Sequence, residues 1–561
     1  MHRFVAALCA AVLLLSAAPA RSETPVPPRS DENASFVANL RAHVKHVFVI
    51  YQENRSFDSY FGTFPGADNL ASPSAQRHGF RQYDALGNQW VTPFRIVDPD
   101  VSDANHARPA LITKADDGRM DLYVATQEFD ALAEGQSREN AQRIGLLTMA
   151  HEDCDTIPFL WKYANTFALY DHFFQGMYGP STPGNIDLIA AQTGQTQWAR
   201  NPKERVARND RGPGEPVVDD MDPAFGPYRS QPRHTQLDQT YANIFLTLSG
   251  KTAVDARKDA AGVRQDIGAL ARMGRPAIPW GWYQEGYHAK KPSQAYVTHH
   301  NALQYFGYLR NNAHFWNGVH NIRELVPAIE HGTLGSCGVV FVKGGYGNSF
   351  GWKPANKNPE VQRNFQGDDD HPGYSDSQLS ESLVATVVNA VAHSKYWHDS
   401  AIFVFWDDSE GFYDHVPPPQ FERCPDGHPC GDGPRVPALL ISPYAKSHAI
   451  VSEISDHASF AKFLGVLFNL PALATLPDEA PFMPEGPRDN DSRLSDLLGA
   501  FDAARLAGTQ APIPASAAEI PSSIVDSFPA RMSCSTLGIT PVKIPGEDTL
   551  PAGFAPRRSR R

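Results

Sequence analysis

Five short apolar runs constrain this chain more than any other feature. Residues 46–51 (HVFVIY), 166–170 (TFALY), 339–342 (VVFV), 401–406 (AIFVFW) and 438–441 (ALLI) are β-rich and nearly continuous in apolar character. A strand wet on one face alternates, whereas a run apolar on both faces needs cover on both, as in a parallel sheet. Helical patterns lie between the runs. Leu379, Leu383, Val384, Val387, Val388 and Val391 share one helix face, with Asp376 or Ser377 as its cap. Phe460, Phe463, Leu464, Leu467 and Phe468 share another after Asp456. Strands alternating with helices predict an α/β sandwich.

The ends read differently from the middle. In residues 1–20, Arg3 precedes an apolar stretch and Ala18-Pro19-Ala20 is a small-residue cleavage pattern, which reads as a secretory signal. No later stretch approaches the roughly 18 apolar residues of a spanning helix. The expectation is an exported protein, periplasmic or secreted, with no transmembrane anchor. Residues 21–42 read as a flexible lead-in and 43–507 as one core with a loop-rich insertion at about 198–300. Residues 508–561 read as a loop-rich tail closing on Arg557-Arg558-Ser559-Arg560-Arg561. Cys9 leaves with the signal, and Cys424 and Cys430 flank a loop suited to a local bridge. A metal site from Cys424, His428 and Cys430 is the alternative, without a second pair at zinc spacing. Five mature cysteines leave at least one thiol unpaired.

Acidic residues number 62 against 50 basic, a net charge of −12, which argues against nucleic acid as a partner. It leaves a phosphate substrate open, because local positive groups matter more than the total. Nothing in the sequence sets the oligomeric state.

Ligands of open α/β sheets bind beyond the carboxyl ends of strands. After the first run come Gln52, Glu53 and Asn54; after the fourth come Asp407 and Asp408. Carboxylate and amide oxygens suit a hard divalent cation, although either strand end alone reads more readily as helix caps and loop acids, and only the two together bring the cation level with that reading. After the second run comes GPSTPGN, residues 179–185, ahead of a helix expected at 186–191 with Pro183 in its first turn. Ser181 and Thr182 then stand at a helix N-terminus, where backbone N–H groups favour an anion. A hydroxyl there is an N-cap or a nucleophile. His106, His299, His300 and His371 lie in polar contexts and are of the type that holds phosphoryl oxygens or protonates a leaving group.

Four segments resemble one known family. ENRSFDSYFG (53–62), GPSTPGN (179–185), WDDSEGFYDHVPPP (406–419) and GPRVPALLISP (433–443) are similar, in order, to the bacterial phospholipase C / acid phosphatase (AcpA-type) phosphoesterase family, over about residues 43–475. The resemblance implies an alkaline-phosphatase-like three-layer α/β sandwich, with a central mostly parallel sheet and helices on both faces. It implies one divalent metal ion held by Glu53, Asn54, Ser181, Asp407 and Asp408, with Ser181 also the nucleophile. His106, ahead of DDGRMD (116–121), His300 and His371 look like phosphate-binding residues, with His299 competing with His300. His371 or His300 would protonate the leaving oxygen, and water would then hydrolyse a phosphoseryl enzyme. Where many relatives have Gly-Gly, this chain has Glu410-Gly411, a change expected at the pocket rim.

The substrate implied is a phosphate ester, a small phosphomonoester or a phospholipid headgroup. The longer phospholipases C carry C-terminal β-domains, and only 90 residues follow Pro471 here, so the expectation leans to the acid-phosphatase-like branch. Trp280, Trp282, Tyr283, Tyr305 and Trp316 would supply a choline cage or simply core.

Overall fold

The computed structural model describes residues 30–201, 216–223, 236–288, 293–425 and 427–555. The signal read at 1–20 and the arginine-rich close at 557–561 lie outside the described residues.

Among the described residues, eight strands build one central sheet: β1 (His46–Gln52), β2 (Ala168–Tyr170), β3 (Trp280–Gln284), β4 (Val319–Asn321), β5 (Gly338–Lys343), β6 (Ser400–Trp406), β7 (Ala438–Ile441) and β8 (Ala449–Val451). They lie in the order β4-β3-β5-β1-β6-β7-β2-β8. Only β7 runs against its neighbours; the other pairings are parallel. The five apolar runs all enter this sheet, and β1, β5, β6 and β7 are buried at every position. The second run is shorter as a strand than expected. Thr166 closes a helix that opens at Pro158, Phe167 caps it, and β2 begins at Ala168.

Six helices matter below: α1 (Ser30–His43), α2 (Phe57–Phe61), α3 (Pro158–Thr166), α4 (Ser181–Ala190), α5 (Ser377–Ala392) and α6 (His457–Phe468). The alternation of β6 puts them on two faces. Phe403 and Phe405 stack on each other and meet Phe460 of α6 at 6.0 and 5.9 Å between ring centres. The opposite face carries Gln52, whose amide donates to Ser380 O of α5 at 3.1 Å. The architecture is therefore the three-layer α/β sandwich read from the sequence. Asp376 and Asp456 cap α5 and α6. Glu381 of α5, fully buried, accepts from Phe159 N and Leu160 N at 2.7 and 3.3 Å and so caps α3 from across the layer.

Three local readings change. Residues 30–42 of the expected lead-in belong to α1, which ends at His43, and Arg41 anchors it by donating to Val466 O of α6 at 2.8 and 2.6 Å. Residues 280–284, within the expected loop-rich insertion, are β3. Trp282 there stacks on Phe341 at 5.2 Å and Trp280 on Phe315 at 6.5 Å. Trp282 and Tyr283 thus face sheet neighbours, Trp280 meets Phe245 and Phe315 outside the sheet, Trp316 meets Tyr287, Tyr305 is buried and donates to Met221 O, and these contacts assemble no aromatic cage. The described part of the tail packs on the sandwich. Cys534 is disulfide-bonded to Cys154. Asn389 of α5 holds Ile520 by two bonds, at 2.7 and 2.9 Å. Cys424 and Cys430 form the local bridge, which removes both thiolates from the alternative metal site; Cys337 is unpaired.

Candidate active site

Register explains why distant residues meet. Gln52 of β1 pairs with Trp406 of β6, and Tyr51 pairs with Lys343 of β5. Parallel strands ending at one level release their next residues side by side. Glu53-Asn54, Asp407-Asp408 and Lys343 therefore share one carboxyl edge, and Asp407 N still donates to Gln52 O at 3.2 Å.

Helix α4 closes over that edge. It begins at Ser181, not at residue 186 as expected, because Pro183 fits a first turn. Gly184 permits the approach: a Cβ there would lie 2.6 Å from Asp407 O. Asn185 fixes the docking, with its amide donating to Ser181 O at 2.9 Å and Asp407 Oδ2 at 3.1 Å. Pro180 occupies the N-cap and makes no side-chain cap. The Ser181 hydroxyl is therefore not spent on capping. It donates to Glu53 Oε2 at 2.6 Å and also lies 3.2 Å from Asn54 Oδ1 and 3.3 Å from Asp408 Oδ2. Thr182 differs: its buried Oγ1 has no hydrogen-bond partner, and its N–H donates to Asp220 Oδ1 at 2.9 Å.

The edge is crowded with charge. Glu53, Asp407 and Asp408 are all fully buried, with Lys343 as their close cation, bonded to Glu53 and 3.6 Å from Asp407 Oδ2. Burial, then Asp407, pushes the Glu53 carboxyl well above its ordinary range against the pull of Lys343. Burial, with Asp407 beside it, raises Asp408 to about 8 against the pull of His106. Three buried carboxylates against one ammonium are costly to keep ionised. The donor set fits one divalent cation: hard oxygens from Glu53, Asn54, Asp407, Asp408 and Ser181, in a site whose excess negative charge a cation would relieve.

His300 and His106 lie beside Glu53 and Asn54, two partners of that hydroxyl. His300, fully buried, sets Nε2 3.3 Å from Glu53 Oε2, and neither of its ring nitrogens has a hydrogen-bond partner. Burial and then His299 hold it well below the usual imidazole value. His106 Nε2 lies 3.2 Å from Asn54 Nδ2. Burial lowers His106, but Asp408 and Asp103 outweigh it and the net shift is upward. His371 lies edge-on to His106, with ring centres 5.6 Å apart, and stacks on Tyr374. His299 stands behind His300 at 4.4 Å, with Asp220 4.0 Å away. His300, not His299, thus lies nearer the carboxylates. A cleft of about 880 Å³, lined by Asp103, His106, Pro180 and Asp220, leads to this cluster.

Two residues escaped sequence reasoning. Lys343 directly follows the 339–342 run, so the strand-end rule applied there would have found it. Glu410 was read as a rim residue; it is fully buried and donates nothing to the rim, accepting instead from Asn54 Nδ2 at 2.8 Å.

The chain is similar to known proteins. The model of the Phosphoesterase family matches residues 44–471. A non-hemolytic phospholipase C of Burkholderia pseudomallei is 24% identical over 481 residues, 79% of this chain and 58% of that protein. A hemolytic phospholipase C of Pseudomonas aeruginosa is 22% identical over 458 residues, 75% of this chain and 52% of that protein. Phospholipase C A of Mycobacterium tuberculosis is 22% identical over 458 residues, 76% of this chain and 73% of that protein. The chain thus spans little more than half of the first two relatives. Among solved structures, a protein in the alkaline phosphatase superfamily from Vibrio parahaemolyticus overlays 78% of this chain and 74% of its own, at 10% identity and a TM-score of 0.29. That score carries no weight here, and the fold stands on its own strand order. With the family model covering the sheet, α4 and both carboxylate strand ends, the chain belongs to the Phosphoesterase family.

Proposed function

We propose that this chain hydrolyses phosphate esters, with Ser181 Oγ as nucleophile and phosphoserine as the intermediate. One observation carries the reading: a single buried hydroxyl at the start of α4 lies within 3.3 Å of Glu53, Asn54 and Asp408 side-chain oxygens. A divalent cation held by Glu53, Asn54, Ser181, Asp407 and Asp408 would ease deprotonation of the serine and offset phosphoryl charge. Ser181 passes its proton to Glu53 Oε2 as Oγ attacks phosphorus. The positive end of the α4 dipole favours the phosphoryl oxygens. His106 and His300 hold those oxygens. His371 gives its proton to the leaving oxygen and then takes one from the water that cleaves phosphoserine, while Glu53 returns its proton to Ser181 Oγ. His300, enclosed against Glu53, is the second choice for that acid.

The substrate class we favour is a small phosphomonoester. The imidazoles of His106 and His300, together with a cation, suit a free phosphoryl group, and Trp280 and Trp282, which would help to cage a quaternary amine, stack on Phe315 and Phe341 instead. The names of the relatives favour a second reading, phospholipase C. The two disulfides and the signal-like start support action outside the cytoplasm.

The test is turnover on nitrophenyl phosphate and nitrophenyl phosphorylcholine in parallel. A kcat/KM ratio of about ten, or about 1.4 kcal/mol, in favour of the monoester supports the first reading. The same ratio reversed supports the second. Turnover of neither, with Mn²⁺, Ca²⁺ or Zn²⁺ supplied, removes the proposed activity.

A further inference from the structure

Asn54 presents a problem of symmetry. Its amide has an oxygen and a nitrogen end of nearly the same shape, and only the oxygen end can serve a cation. Something must choose between them. On one side Oδ1 lies 3.2 Å from Ser181 Oγ, toward the carboxylates. On the other, Nδ2 donates to Glu410 Oε2 at 2.8 Å, with His106 Nε2 a longer second partner at 3.2 Å. An ionised carboxylate only accepts, so against it the flipped amide would set oxygen against oxygen.

Glu410 is held to that task from three directions. Its other oxygen, Oε1, accepts from Ala104 N at 2.7 Å. Its backbone N donates to Asp408 Oδ1 at 2.7 Å. Its own φ is +58°, in the left-handed region that costs a side chain about 1 kcal/mol or more. The segment it grips through Ala104 carries His106, whose Nδ1 lies 2.8 Å from Ala104 O and 3.4 Å from Glu410 Oε2. One buried side chain therefore touches an expected cation ligand and the loop bearing an expected phosphate ligand.

We infer that Glu410 is a positioning residue that fixes the Asn54 amide with its oxygen toward the cation and ties the His106 loop to the same edge. The inference rests on reading that edge as the cation site. Outer partners that orient a ligand typically set metal affinity by 10- to 100-fold.

The geometry allows a reciprocal test. In Glu410→Gln, one end of the new amide still accepts from Ala104 N, and its NH₂ then meets the NH₂ of Asn54. That pairing is repulsive, so Mn²⁺ affinity falls by about 10-fold or more. In Asn54→Asp, two carboxylates face each other, and affinity falls again. In the double variant Asn54→Asp/Glu410→Gln the donor is moved to position 410 and the acceptor to position 54. The bond is restored with its polarity reversed, and affinity exceeds that of either single variant.

Mn²⁺ binding is read by equilibrium dialysis of the metal-stripped mature protein, with thermal melts confirming that each variant is folded. Steady-state constants for nitrophenyl phosphate are read beside it, KM rising in Glu410→Gln as the His106 loop loosens. Recovery in the double variant supports the clamp. Unchanged Mn²⁺ affinity in folded Glu410→Gln overturns it, as does a double variant no better than its worse parent. Were the wild type to bind Mn²⁺ yet turn over no ester, the clamp would stand and the proposed activity would fall. No Mn²⁺ binding by the wild type would overturn both.

Discussion

Gly184 and Asp407 touch so closely that no side chain fits between them: a Cβ at 184 would lie 2.6 Å from Asp407 O and 3.1 Å from its Cβ. This contact brings the first turn of α4 down onto the end of β6. Ser181, three residues earlier, reaches Glu53 only because of it. Gly184→Ala should push α4 off the edge, costing about 1–3 kcal/mol in stability by overpacking and lowering kcat/KM more than 10-fold. Urea unfolding and steady-state kinetics check this together; full activity would show that the contact does not set the site.

Lys343 is the counter-charge to Glu53 and Asp407. Lys343→Met removes it and leaves two buried carboxylates facing each other. Metal-stripped Lys343→Met should be destabilised by about 3–5 kcal/mol, the usual cost of breaking a buried pair. Added Mn²⁺ should then raise its Tm by more than it raises that of the wild type, since a cation supplies the missing charge. Melts with chelator and with Mn²⁺ decide it; equal Tm gains in both proteins would count against a shared charge role.

A second ion network sets a pH limit on the fold. His415 Nδ1 lies 2.7 Å from Asp58 Oδ2 and its Nε2 3.3 Å from Asp68 Oδ1, and Arg435 joins Asp58 and Asp414. Burial lowers the His415 imidazole, but Asp58 and Asp68 outweigh burial and hold it at about 9. The unfolded value is about 6.5. A raised folded value means the contribution is whole below about 6.5 and is lost as pH rises through about 9, by up to about 3 kcal/mol. Urea unfolding at pH 6 and pH 9.5 should show wild type losing more stability than His415→Gln over that window.

Cys154 and Cys534 join the start of α3 to the tail across 380 residues of sequence. Cys534→Ser should cost about 2–5 kcal/mol in stability and leave kcat near wild type at 25 °C, because the bridge lies away from Ser181. Loss of activity without loss of stability would contradict a purely structural tail.

The sheet was legible because its strands are apolar on both faces, a signal that survives without context. The edge residues were legible because they directly follow those strands. Lys343 was equally well placed, and it was missed because a lysine after a strand reads as a solvated end. The aromatic strand β3 was missed for a different reason: Gly281 and flanking prolines at 276 and 279 look like loop. Whether Ser181 caps α4 or attacks phosphorus was not decidable from spacing. In the structure α4 starts at Ser181 itself, so its hydroxyl lies past the cap position, which argues against the cap and leaves attack on phosphorus as the proposal. Glu410 looked like rim because acids usually are; its burial comes from Asn54 and Ala104, which are remote in sequence. The Cys154–Cys534 bridge spans too much chain for local spacing to suggest it.

The central claim is that Ser181 carries the phosphoryl group. The most direct measurement is an acid quench during turnover of nitrophenyl phosphate, followed by peptide mass spectrometry of the segment containing residues 179–185. The account predicts a phosphate on Ser181, absent in a folded Ser181→Ala variant that has lost turnover by about 1,000-fold or more. Phosphate on Thr182, or undiminished turnover by Ser181→Ala, would contradict it.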